Sequence, residues 1–243
     1  MKSVTASIAF LISLSFSAAF AQDRFYSWSD QFETGEAGDL ELESYSNFNT
    51  PSFSDNNHYL NQQFELEYGL SHNLSFGVNQ TLGKEYPGGN FSLGQFGVEG
   101  LYRLTAPGKF VVDPVLYIEY SRMWDRSASN QLEAKLILTK DFGRLNAIVN
   151  CAAEHQFGTA SELEPEFSGG ISYEFARGLR GGIEMFATGP DQEQLPDADL
   201  RGTGAGPTVS LTTPWFWVTS GISYGIANEA NRLNFRAIIG IDL

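Results

Sequence analysis

The closing stretch RLNFRAIIGIDL places an apolar side chain at every second position: Leu233, Phe235, Ala237, Ile239, Ile241 and Leu243. The intervening register holds Asn234, Arg236, Ile238, Gly240 and Asp242. A period of two marks a strand whose faces meet different surroundings. The same alternation predicts strands near 39–48, 58–68, 74–82, 90–104, 110–122, 130–140, 145–157, 165–175, 179–188, 201–212, 215–226 and 232–243. Most are longer than an ordinary globular strand and long enough to cross a bilayer at a tilt. No amphipathic helix of convincing length interrupts them.

The connections alternate in character. GLSHN (69–73), TAPGK (105–109), DFGR (141–144), ARG (176–178) and TP (213–214) are short, whereas 49–57, 83–89, 123–129, 158–164, 189–200 and 227–231 are mostly longer and more polar. Short turns at one end and long loops at the other are the habit of an outer-membrane barrel. Opposed residues of a hairpin must share a face. The alternation meets that condition with Glu174 opposite Arg180, Tyr68 opposite Leu74, Thr139 opposite Asn146 and Thr212 opposite Trp215.

The two faces differ chemically. The outward set is apolar, with aromatics near segment ends: Tyr68, Tyr102, Tyr120, Tyr173, Phe175, Trp215, Phe216, Trp217 and Tyr224. Such rings form girdles at membrane interfaces. The inward set carries Glu41, Glu43, Glu65, Glu67, Glu99, Asp113, Glu119, Glu133, Glu154, Glu174 and Glu184, against Arg103, Lys135, Arg180 and Arg236. A soluble sandwich also alternates, but ionised groups are buried in a dry core only when paired. A hydrated lumen accommodates them. The expected fold is therefore all-β: a closed antiparallel up-and-down transmembrane barrel of about 12 strands.

The N-terminus assigns a compartment. MKSVTASIAFLISLSFSAAFAQ has Lys2, an apolar run and a small-x-small ending, Ala19-Phe20-Ala21. It reads as a cleaved secretory signal over 1–21, followed by an acidic periplasmic leader over 22–38 and the barrel over 39–243. Without the signal, 14 basic residues face 29 acidic ones, a net charge of −15. That balance excludes nucleic acid as a partner. Cys151 is the only cysteine, so no intramolecular disulfide forms. The location implied is the bacterial outer membrane of a Gram-negative cell, with both termini periplasmic.

The last third, GIEMFATGP … GAGPTVSLTTPWFWVTSGISYGIANEANRLNFRAIIGIDL, resembles small outer-membrane barrels labelled putative transporters or phenol-degradation MetA-pathway proteins. The shared features are a Gly-x-Glu strand, a Gly-Pro pair opening a strand, a short turn before Trp or Phe, and a closing Gly-x-x strand. The match is most specific over 181–243. The resemblance implies a barrel in the outer membrane and leaves the solute open. The final strand, with Phe235, Ile239, Ile241 and Leu243, also resembles the signal read by the barrel-assembly machinery, although the usual last residue is Phe.

Catalytic chemistry is thin. The histidines are His58, His72 and His155. His155 falls in the outward register near a long loop, but EHQFG offers no Ser two residues on and no evident Asn to orient the ring. Three scattered histidines and one cysteine make no zinc site, and DQEQLPDAD (191–199) lacks the spacing of a calcium loop. We expect no enzyme activity, no cofactor and no metal. The expected partners are outer-membrane lipid, the assembly machinery and a small solute. Acidic rings favour cationic or neutral solutes in a passive channel. The alternative is a closed barrel with a structural or interaction role, its lumen filled by side chains or by the leader; a lipid-processing enzyme ranks below both.

Overall fold

A computed structural model describes residues 24–31, 34–50, 58–86, 88–126, 128–157, 163–188, 202–226 and 233–243. The expected signal peptide (1–21) and the acidic loop 191–199 lie outside the described residues. The strands are β1 (Leu40–Thr50), β2 (His58–Ser71), β3 (Leu74–Tyr86), β4 (Ser92–Arg103), β5 (Asp113–Met123), β6 (Asn130–Phe142), β7 (Leu145–Phe157), β8 (Leu163–Ala176), β9 (Leu179–Thr188), β10 (Thr203–Thr212), β11 (Trp217–Gly225) and β12 (Leu233–Asp242). Each pairs antiparallel with its chain neighbours, and β12 pairs with β1, so the sheet closes on itself. Closure leaves no open edge. The final strand is seated by ten register pairs, from Glu41 with Asp242 to Thr50 with Leu233.

Glu174 pairs with Arg180 as expected, and the other three turns hold the correct faces in a shifted register. Tyr68 pairs with Phe76 instead of Leu74, Asp141 instead of Thr139 pairs with Asn146, and Thr212 pairs with Trp217 instead of Trp215. Each shift is two residues, which preserves the face of every side chain. The turn after β10 spans 213–216, closed by the Thr213 amide on the Phe216 carbonyl at 2.9 Å. Between β6 and β7 the turn is Gly143-Arg144, and Gly143 has φ 68°, a left-handed conformation that favours glycine.

The exterior is apolar and uncovered. Phe64, Ile118, Ile171, Ile183, Val209, Ile222 and Ile239 are exposed by 46–67%. A monomer in water rarely shows so continuous an apolar band; hydrocarbon tolerates it. The girdle positions Tyr68, Tyr102, Tyr120, Tyr173, Phe175, Trp215, Phe216 and Tyr224 are exposed on this outer wall. Trp217 corrects the expectation. It points inward, is 1% exposed, packs with Tyr45 and Ile238, and donates its indole N–H to Glu41 Oε1. Strand parity decides this: Phe216 and Val218 take the outer face, so Trp217 takes the inner one. Gly240 makes the room, since a methyl group there would lie 2.2 Å from Trp217 Cε2.

Candidate functional site

The interior is the candidate site, and its wall is lined by a row of carboxylates. Register carries Glu41 to Glu67, Gly77, Glu99, Glu119, Glu133, Glu154 and Glu164 across β1 to β8. The row starts one residue into β1, at the short-turn end, and finishes one residue into β8, at the long-loop end. It therefore climbs the barrel wall, as a line across tilted strands must. A second row places Glu43 opposite Glu65. Like charges directly opposed repel one another.

The segment 24–31, expected as part of a periplasmic leader, lies inside the barrel. Tyr26, Ser27, Trp28 and Ser29 are 0–6% exposed. The Ser27 and Trp28 amides donate to the two Glu184 oxygens, at 2.5 and 2.7 Å. The Tyr26 hydroxyl lies 2.9 Å from the Asn146 carbonyl oxygen and 2.8 Å from its side-chain oxygen. Its ring packs on an apolar patch of Leu101, Val115, Ile137 and Ile148 on the inner wall. Burial pushes the Tyr26 phenol up to about 12, so it stays protonated. Phe25 sits under the Arg180 guanidinium, 3.9 Å from ring centre to Cζ.

Charge matching explains how an acidic leader enters an acidic lumen. Arg24 reaches the Tyr45 hydroxyl and Asp30 at 3.0 Å each, and Glu43 at 3.8 Å. Asp30 in turn meets Lys135, whose ammonium also contacts Glu133 at 2.8 Å. Burial alone would raise the Asp30 pKa, but Lys135 and then Arg24 outweigh it and hold the carboxyl well below its usual range. At the mouth, Glu36 contacts the exposed His72 imidazole, and the Gly38 amide donates to the Gly69 carbonyl at 2.8 Å. The wall is carved to receive the segment. A methyl group at Gly221 would lie 2.5 Å from Trp28 Cζ3, and one at Gly170 would lie 2.7 Å from Tyr26 Cε1.

Of the residues singled out from sequence, Glu41, Glu43, Glu65, Glu67, Glu99, Asp113 and Glu184 are buried, and Arg103, Glu119, Glu133, Lys135, Glu154, Glu174, Arg180 and Arg236 are half-buried. The glutamates of the row come together, whereas Asp113 and Glu174 serve turns. Asp113 accepts the Gly108 amide at 2.7 Å, and Glu174 accepts the Gly178 amide at 3.3 Å while facing Arg180 at 3.8 Å. Arg103 donates to the Thr34 carbonyl at 3.3 Å and so holds the leader at the mouth. Arg236 lies over the Tyr45 ring. Glu164, Asn79, Tyr45 and Tyr117 are lumen residues that alternation alone did not single out. His155 packs edge-on against Phe157, with ring centroids 4.9 Å apart.

Three solved barrels are similar to this one. The COG4313 outer membrane channel from Pseudomonas putida F1 superposes with a TM-score of 0.64 at 11% identity, covering 88% of this chain and 98% of that one. The NanC porin gives 0.53 at 12% identity, over 83% and 100% of the two chains. The KdgM porin, solved in complex with disordered oligogalacturonate, gives 0.54 at 8% identity, over 84% and 99%. The chain has the twelve-stranded outer-membrane barrel fold. No protein-family model matches it, and no curated protein is similar to it in sequence.

Proposed function

We propose that this barrel stands in the bacterial outer membrane and passes small cationic or neutral solutes through a lumen narrowed by its own leader. The acidic row carries this reading: it faces the interior and runs from one end of the wall to the other. Fixed carboxylates in a narrow, low-dielectric passage concentrate cations and repel anions. The similar structures are a channel and two porins, which supports the same class of function. Kinship with the MetA-pathway barrels belongs to this proposal and rests on the motifs of 181–243.

Orientation follows from the ends of the strands. β1 begins and β12 ends beside each other at the short-turn end, where the Leu243 amide donates to the Leu40 carbonyl at 2.8 Å. Short turns face the periplasm in such barrels, so the start of β1 and the C-terminus lie at the periplasmic end, from which the leader turns back into the lumen. The closing strand then presents Phe235, Ile239, Ile241 and Leu243 to the assembly machinery and afterwards to lipid.

The buried leader favours a second reading, a barrel closed at rest, because it fills the lumen beside Glu184 and Asn146. Liposome swelling separates the two. Proteoliposomes should admit small cationic or neutral solutes faster than anions of equal size, and more so after deletion of 24–37. Impermeability to all solutes with and without the deletion would leave only the closed barrel.

A further inference from the structure

We propose that Lys84 and Arg122, on the outer wall at the long-loop end, bind the phosphorylated headgroup of an outer-leaflet glycolipid of the lipid A class. The proposal rests on the reading that the long loops face out of the cell. Lys84 stands two residues before the end of β3, and Arg122 one residue before the end of β5. Register puts both on the lipid-facing wall. Lys84 keeps step with Tyr86, which is 36% exposed, and Arg122 pairs with Phe96, which is 41% exposed. The remaining outward positions of β3, β4 and β5 carry no charge, whereas Glu99 and Glu119 of the same strands face the lumen.

Neither cation is used inside the protein. Among the described residues neither forms an ion pair, and Arg122 is exposed. Lys84 is held by rings, its ammonium 4.5 Å from the Tyr86 ring centre and 5.4 Å from that of Phe91. An outward charge is costly in hydrocarbon and tolerated at the headgroup level. On a mature chain of net charge −15, a stretch of outer wall whose charges are all positive is complementary to an anionic lipid. The spacing selects a large headgroup. Arg122 pairs with Phe96, and Phe96 with Gln80, four residues short of Lys84. The two bases therefore stand about 10 Å apart across the sheet and about 13 Å along it. That span suits a saccharide with a phosphate at each end better than a single glycerol phosphate. Guanidinium and ammonium are both phosphate binders, the first by a fork and the second as a point charge. Between them, Trp124 is pinned over β4. Its backbone amide donates to the Gly94 carbonyl and its indole N–H to Gln80 Oε1, at 3.0 Å each. With Leu93, 50% exposed, it supplies an apolar floor for the sugar and the first acyl carbons.

The test is native mass spectrometry of the full mature chain, refolded in detergent and titrated with bisphosphorylated lipid A. The wild type should retain the lipid at least tenfold more tightly than dephosphorylated lipid A or phosphatidylglycerol. Lys84→Gln and Arg122→Gln should each weaken retention at least fivefold, and the double variant should bind no better than the wild type binds the dephosphorylated lipid. Lys140→Gln, at the short-turn end, should leave binding unchanged. Heat-modifiable migration on gels verifies that each variant is folded. Equal retention of phosphorylated and dephosphorylated lipid A overturns the proposal, because acyl chains alone then account for binding. A double variant that binds like the wild type overturns it equally. Preference for phosphatidylglycerol would assign the patch to a phospholipid, and retention of neither lipid would leave it to a protein; both outcomes refute the lipid A site. Orientation is read separately, from labelling of Ser92→Cys in a Cys151→Ala background on intact cells. Conductance enters no arm, so failure of the channel reading and failure of this site are distinguishable.

Discussion

Glu184 holds the leader in the lumen, and removing its carboxylate gives a measurable release. The Ser27 and Trp28 amides both donate to it, at 2.5 and 2.7 Å, and the side chain is 1% exposed. Hydrogen bonds to a charged group contribute about 1.5–3 kcal/mol each. Losing both in Glu184→Ala should weaken leader docking by at least ~3 kcal/mol, roughly a hundredfold in the docked-to-released ratio. Glu184→Gln, which keeps one acceptor oxygen, should fall between. The reporter is Ser29→Cys in a Cys151→Ala background, because Ser29 is fully buried in the docked leader. Maleimide should label that cysteine slowly in the parent barrel and far faster with Glu184→Ala. Equal labelling rates in folded parent and folded variant would refute the claim that these two bonds fix the leader.

Other consequences follow from the same contacts. Trp217→Ala should cost about 3–5 kcal/mol, the usual range for a buried Trp, and lower the unfolding midpoint on heat-modifiability gels, whereas Trp215→Ala on the exposed rim should not. Gly240→Val should destabilise in the same direction, because its Cβ would lie 2.2 Å from the Trp217 ring. Asp30, whose folded pKa is depressed, gives docking free energy that is present above its undocked value of about 3.9 and is lost as pH falls through the folded value. Asp30→Asn should therefore speed labelling of the Ser29→Cys reporter equally at pH 7 and pH 5, and the difference from parent should shrink below about pH 4. A difference that vanished between pH 7 and pH 5 would contradict the ion pair.

Much of this architecture is written in the period-two pattern. Segment by segment, the inward glutamates and outward aliphatics identify the barrel, because a register slip of two residues at a turn changes partners without changing faces. Tyr68 and Thr212 therefore keep the expected wall while facing neighbours two residues from the expected ones. Trp217 departs from the expected outer face because three consecutive aromatics in WFW mask the parity that governs them. The leader was harder to read. Its acidity argues against an acidic lumen, yet Arg24 neutralises the part that enters, and glycines at 170 and 221 supply cavities visible only once distant strands are aligned.

The most direct test of a water-filled acidic interior narrowed by the leader is the reversal potential of single channels in planar bilayers under a potassium chloride gradient. The full mature chain should give small, cation-selective conductance, and deletion of 24–37 should raise the conductance while keeping the selectivity. Anion selectivity in either form, or a conductance indifferent to the leader, would contradict the account.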